Sequence, residues 1–171
     1  MSKILRRWIN YYSLFPKTLA AGPPPKGPFE IDTKSLRNEY LKAQQQAHPD
    51  VNSGATAADS ATLGSAYRTL LDPLLRSRHI LELQGSTAVG EDASLDDEEL
   101  LMNILMVREE VSECEDPAER AKLEQANNER IESTIHKISQ AYSENDLETA
   151  QKATIELGYW IKLRAAFHGE D

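Results

Sequence analysis

The chain of 171 residues holds one cysteine, Cys114. A lone thiol excludes an internal disulfide framework and any thiolate metal cluster held by this chain alone, and it suits a reducing compartment. Glycine and proline are scarce beyond the first 30 positions, where Pro16, Pro23, Pro24, Pro25 and Pro28 are gathered. No run of alternating β-branched residues is long enough to suggest a sheet, and no apolar run is long enough to cross a membrane. There is no G-x-x-x-x-G-K-[ST] loop, so the chain is not itself a P-loop ATPase. Positive charge is also in short supply: 19 Lys and Arg face 28 Asp and Glu, a net charge of −9. Nucleic-acid binding needs clustered cations to meet phosphates, so this balance argues against such a partner.

What fills the chain instead is Leu, Ala, Glu, Gln, Lys and Arg, all good helix formers, and the reading is all-α. The charge is unevenly spread. Lys3, Arg6, Arg7, Lys17 and Lys26 precede the first acid, Glu30, while acids crowd 91–99 and 109–116. At the start, Ile4, Leu5, Trp8 and Ile9 interleave with Lys3, Arg6 and Arg7. This acid-free amphipathic pattern fits a mitochondrial transit segment and equally fits a first helix with a basic outer face. Residues 1–10 are therefore set apart from the domain that follows.

Tyr11 to Phe15 is a short apolar stretch, ended by the proline-rich loop to Pro28. Asp32 or Thr33 can cap the next helix, which runs to Ala47. Leu36, Tyr40, Ala43 and Ala47 make its buried stripe, flanked by Lys34, Arg37 and Lys42. His48-Pro49-Asp50 then stops it, because the residue before proline avoids the α region. Asp59 or Ser60 can cap a second helix with Leu63, Ala66, Tyr67 and Leu70 as its stripe. Asp72-Pro73 opens a third, which carries Leu74, Ser77, Ile80 and Leu81 to about Leu83. These features define a first domain over 11–84. Gly, Ser, Thr and acids mark a linker over 85–95. From 96 to 171 the pattern reads as three helices in an antiparallel bundle. The second of these opens at Asp116-Pro117 and carries Ile131, Ile135, Ile138 and Tyr142. The third is capped by Asn145 or Asp146 and carries Ala150, Ala153, Leu157, Ile161 and Arg164.

The first bundle helix, 96–113, is more apolar than an amphipathic element requires. Leu100, Ile104, Val107 and Val111 share a narrow sector and suffice as a core stripe. Leu101, Leu105, Met102 and Met106 spread over the remaining face. Either the helix is buried nearly all round, or this second set is an exposed docking patch. Tyr159, with Ile155 beside it, lies almost opposite the Leu157 stripe on the last helix and invites the same question.

His48-Pro49-Asp50 has three readings: a plain helix stop, a His/Asp catalytic pair, or the turn of a J-domain. No nucleophile or companion base accompanies the pair, which weakens the second. His79, His136 and His168 are scattered, which weighs against a metal site. The placement of the tripeptide between two patterned helices favours the third.

Ala-Tyr-Arg-Thr-Leu-Leu-Asp-Pro at 66–73 and Leu-Leu-Arg-Ser-Arg at 74–78 strengthen that choice, together with Leu-Leu-Met-Asn-Ile-Leu-Met-Val-Arg-Glu-Glu-Val at 100–111 and Glu-Leu-Gly-Tyr-Trp-Ile-Lys-Leu at 156–163. With the His-Pro-Asp turn, these segments resemble the HscB/Jac type of J-domain co-chaperones of iron–sulfur cluster biogenesis, over roughly 11–167. The resemblance implies an L-shaped, two-domain, all-helical protein that is not an enzyme and needs no cofactor. Its partners would be a chaperone of the heat shock protein 70 class and an iron–sulfur cluster scaffold protein of the IscU/Isu type.

By the same resemblance, His48, Pro49 and Asp50 would trigger the chaperone's ATPase, and Lys34, Arg37 and Lys42 would steer docking. Leu101, Leu105 and Tyr159 would anchor the scaffold, supported by Met102, Arg108, Glu109 and Glu113. Gln44, Gln45 and Gln46 stand where generalist J-domains often place cations, which implies weaker or more selective chaperone binding. The cysteine zinc module of some animal members is missing. With the basic N-terminus, this points to a fungal-type member of the mitochondrial matrix. A generalist J-domain chaperone for unfolded clients is the alternative, and a small His/Asp hydrolase is a third.

Overall fold

The computed structural model describes residues 9–47, 57–86 and 95–169. His48, Pro49 and Asp50, and the basic residues of the N-terminal segment up to Trp8, lie outside the described residues. The chain divides into two compact units, Met1–Ser86 and Thr87–Asp171. All regular structure among the described residues is helical.

The first unit opens with a single 3-10 turn, Tyr11–Leu14, capped by Asn10, whose side-chain oxygen accepts from the Tyr12 amide. Its short apolar run drives Tyr12 and Phe15 into the core, and Phe29 at the far end of the following loop is buried as well. The proline-rich loop between them turns tightly. At Gly27 an added Cβ would collide with the Gly22 carbonyl oxygen, so no larger residue fits the turn. Helix α1 spans Thr33–Ala47. Asp32 caps it, accepting from the Lys34 and Ser35 amides and from the Ser35 hydroxyl. The expected stripe is present but only Leu36 is fully buried; Tyr40, Ala43 and Ala47 are half-exposed.

Helix α2 spans Ala57–Leu71, starting earlier than the expected caps Asp59 and Ser60. Ser60 does not cap. Its hydroxyl donates to Gln44 Oε1 at 2.6 Å and its carbonyl accepts from Gln44 Nε2 at 3.0 Å, bolting α2 to α1. Tyr40 and Tyr67 stack across the same seam, ring centroids 4.2 Å apart. Helix α3, Pro73–Leu83, begins as expected at an Asp72 cap with proline in the first turn, and Leu74, Ser77, Ile80 and Leu81 are all buried.

In the second unit, helix α4 spans Glu98–Glu113 behind an Asp97 cap, α5 spans Pro117–Ser143 behind Asp116, and α6 spans Leu147–Phe167 behind Asp146. Asn145 takes the positive φ of 56° that lets the chain turn into that last cap. Helix α6 packs on both α5 and α4. That double packing widens its buried face beyond the expected stripe. Trp160 and Leu163 are buried, whereas Ile161 is half-buried and Arg164 is exposed. The predicted α5 stripe holds at Ile131, Ile138 and Tyr142, with Ile135 half-exposed. Leu95, placed in the linker by composition, is buried and borders a groove with Leu100, Lys137 and Lys152.

Candidate functional site

On α4 the periodicity resolves into two faces. Ile104, Val107 and Val111 are buried, with Leu100 half-buried at the start of the same sector. The second apolar set is not covered: Leu105 is 57% exposed, Met102 59% and Met106 65%. Leu101 is half-buried, one turn before Leu105. Leaving three large apolar side chains this open is unfavourable by roughly 25 cal/mol for each Å² of apolar surface kept in water. Neighbouring apolar side chains at i, i+3 and i+4 form one exposed row rather than scattered singletons. Of the two expectations for this helix, burial all round is therefore overturned.

Arg108, Glu109 and Glu113 are exposed on the same helix and give the patch a charged border. On α6, Tyr159 and Ile155 are half-exposed while Leu157 is sealed in the core, as their positions on the helix predict. Helices α4 and α6 pack on each other, so Leu101, Leu105 and Tyr159 belong to one packed unit. None of the three is sealed inside it.

In the first unit, Lys34, Arg37 and Lys42 are all exposed on α1. At 100° per residue they spread over the solvent side of the helix, wider than a flank of the Leu36 stripe. Lys42 edges an open groove of about 750 Å³ formed by α1 and the chain at Lys17 and Thr18. Of the three glutamines expected to stand in for cations, Gln45 and Gln46 are exposed. Gln44 turns inward onto Ser60 and the Tyr40 hydroxyl, so its amide is a structural bolt.

Four polar side chains that periodicity did not single out hold the irregular N-terminal segment. Glu39 on α1 accepts from the backbone amides of Lys17 at 3.0 Å and Thr18 at 2.7 Å. Burial raises its pKa, but hydrogen bonds from Thr18 and Lys17 outweigh that, and the carboxyl is held below its ordinary value. His79, only 5% exposed, accepts the Tyr11 amide on Nε2 at 3.2 Å and stacks on the Tyr11 ring. Burial lowers its pKa to about 4, so it is neutral at pH 7. Gln84 donates to the Pro24 carbonyl.

Arg76 is buried. Its guanidinium donates to the carbonyls of Leu70 at 2.7 Å, Phe29 at 2.9 Å and Leu71 at 3.3 Å, and it lies 5.0 Å over the Phe29 ring. It thus satisfies the open carbonyls at the end of α2 and ties the preceding loop to them. Among the described residues no three His, Cys, Asp or Glu side chains converge as a metal site requires. No described helix is long and apolar enough to cross a membrane.

Comparison with known proteins places this geometry. The family model "HSCB C-terminal oligomerisation domain" matches residues 96–168, the whole of the α4–α6 bundle. The J-type co-chaperone jac1, mitochondrial, of Schizosaccharomyces pombe is 39% identical over 164 residues, covering 93% of this chain and 72% of that protein. The J-type co-chaperone JAC1, mitochondrial, of Saccharomyces cerevisiae is 37% identical over 171 residues, covering 96% and 90%. The solved structure of the Saccharomyces cerevisiae Jac1 co-chaperone superposes with a TM-score of 0.80 at 36% identity, covering 96% of this chain and 95% of that one. Human co-chaperone HscB superposes at 0.79 with 24% identity, covering 92% and 80%, a likeness of fold alone.

Proposed function

The chain belongs to the family of HscB/Jac-type J-type co-chaperones, and from that premise we infer that it couples two protein partners. One is a chaperone of the heat shock protein 70 class, whose ATPase the first unit stimulates. The other is an iron–sulfur cluster scaffold protein, which the second unit carries to that chaperone to promote cluster transfer. The two mitochondrial relatives support a mitochondrial location. The matrix is the compartment where both partners would be met.

The observation that carries this reading is the exposed apolar row on α4, with Leu105, Met102 and Met106 open to solvent beside the buried stripe of Ile104, Val107 and Val111. A helix that already buries Ile104, Val107 and Val111 gains no stability from a second apolar face in water. In the proposed role Leu101, Leu105 and Tyr159 anchor the scaffold, and Met102, Arg108, Glu109 and Glu113 surround them. Desolvated apolar anchors of this kind carry most of an interface's free energy, and the charged border sets orientation. His48, Pro49 and Asp50 bias the chaperone between its two nucleotide states, while Lys34, Arg37 and Lys42 speed encounter with an acidic surface.

The test is a titration of the full chain with the scaffold protein, alongside an ATPase assay of the chaperone. Leu105→Ala or Tyr159→Ala should each weaken scaffold binding by about 1–3 kcal/mol and leave chaperone stimulation intact. His48→Gln should abolish stimulation and leave scaffold binding intact. Unchanged scaffold affinity in both anchor variants would sink the delivery half of the proposal; normal stimulation by His48→Gln would sink the other half.

A further inference from the structure

Three methionines occur in the sequence, and the two beyond position 1 are Met102 and Met106, one helical turn apart on α4. Both rank among the most exposed large apolar side chains of the described residues, at 59% and 65%, and they adjoin the open Leu105. Methionine is more often spent inside a core, where its flexible thioether fills gaps. Here the core of the second unit is built from Ile, Val, Leu, Ala, Tyr and Trp, and both of these sulfurs are on the outer face.

We propose that Met102 and Met106 form a reversible oxidation site that tunes docking at the α4 face. The inference rests on the scaffold-binding reading above. A hydroperoxide is the oxidant. The thioether sulfur attacks the distal peroxide oxygen, the O–O bond breaks as an S–O bond forms, and each turnover yields one sulfoxide and one molecule of water or alcohol. Sulfur is oxidised by two electrons and the peroxide is reduced by two. Exposure decides which methionines react, and both of these are more than half open to solvent.

The product converts a soft apolar group into a strongly polar one at a surface whose value to a partner lies in being apolar. Docking then requires burying a sulfoxide oxygen or leaving the patch open. The stability of the chain itself is untouched, because neither methionine belongs to the core. The change is undone by a thiol-dependent sulfoxide reductase, which makes the site a switch rather than a lesion.

The full chain is treated with hydrogen peroxide, quenched with excess free methionine, mapped by mass spectrometry and titrated with cluster-free scaffold protein. The expected result is one added oxygen on each of Met102 and Met106, an affinity lowered by about tenfold, and recovery after sulfoxide reductase. The doubly substituted chain, Met102→Leu with Met106→Leu, is compared with its own untreated baseline, which peroxide should no longer shift. Methionines that stay unmodified, or become oxidised with affinity unchanged, overturn the proposal. So does a loss that persists in the leucine pair, which would assign the effect to another oxidisable side chain such as Cys114 or Met1. Failure of the untreated chain to bind the scaffold overturns the underlying reading, and the switch with it.

Discussion

In residues 9–86 polar side chains reach irregular backbone far away in sequence: buried His79 to Tyr11, half-buried Glu39 to Lys17 and Thr18, buried Arg76 to Phe29, and exposed Gln84 to Pro24. In residues 95–169 the comparable long reaches, Arg120 to Ala166 and Asn127 to Trp160, end on helix α6. The difference follows from the backbone each unit contains. A loop turned by prolines and packed on a core cannot satisfy its own amides and carbonyls, so side chains must be brought inside to do it. Long helices satisfy all but their ends; in the second unit three aspartate caps meet amides at the helix starts, and Arg120 meets carbonyls near the ends of α4 and α6. Apolar packing then holds the bundle, and the outward face of α4 is left free to carry residues that serve something other than the fold.

The sharpest test of that contrast is Arg76→Ala. It strips three carbonyls of a buried charged donor and should cost about 4 kcal/mol in urea unfolding. A loss under 1 kcal/mol would mean that the loop is held by its apolar residues alone.

Next is acid sensitivity. Because burial lowers His79 to about 4 from an ordinary 6.5, the unfolded chain binds more protons than the folded one between those values. Stability should therefore be insensitive to this group above pH 6.5 and fall as pH drops, by about 3 kcal/mol at pH 4. His79→Gln keeps an acceptor that cannot titrate, and should flatten this part of the unfolding free energy against pH. An unaltered profile would remove His79 from the account.

Arg120 offers a milder counterpart to Arg76. It donates to the Val111 and Ala166 carbonyls at the ends of α4 and α6 and lies 5.5 Å over Phe167, but it is only half-buried. Arg120→Ala should cost about 1.5 kcal/mol. A cost equal to that of Arg76→Ala would dissolve the distinction between the units.

The smallest effect belongs to the patch. Leu105→Ala should shift the midpoint of chemical unfolding by under about 0.5 kcal/mol, because the side chain is already in water. A large destabilisation would reassign Leu105 to the core.

Helix existence and most helix starts could be read from the chain because they depend on local chemistry. Asp32, Asp72, Asp116 and Asp146 each present a carboxylate to free amides one turn ahead, whatever surrounds them. Ser60 looked equivalent and was not, since a hydroxyl within reach of Gln44 on another helix had a partner that no local pattern reveals. The α6 stripe failed at Ile161 and Arg164 for a related reason. Periodicity assumes one packed face, and α6 has two neighbours. At the candidate site, Leu101, Leu105 and Tyr159 could be picked out as residues surplus to the core stripes, but only coordinates could choose between a buried and an open surplus.

The order of residues thus determined the helices, their aspartate caps, the family and the presence of a second apolar face on α4, because each is written in spacings of three or four positions along one segment. The folded arrangement alone decided that this face is open, that His79 is neutral, and that Arg76 and Gln44 are internal fasteners. Burial and hydrogen-bond partnership depend on which segments meet, and residues as far apart as Phe29 and Arg76 meet only once the chain has closed on itself.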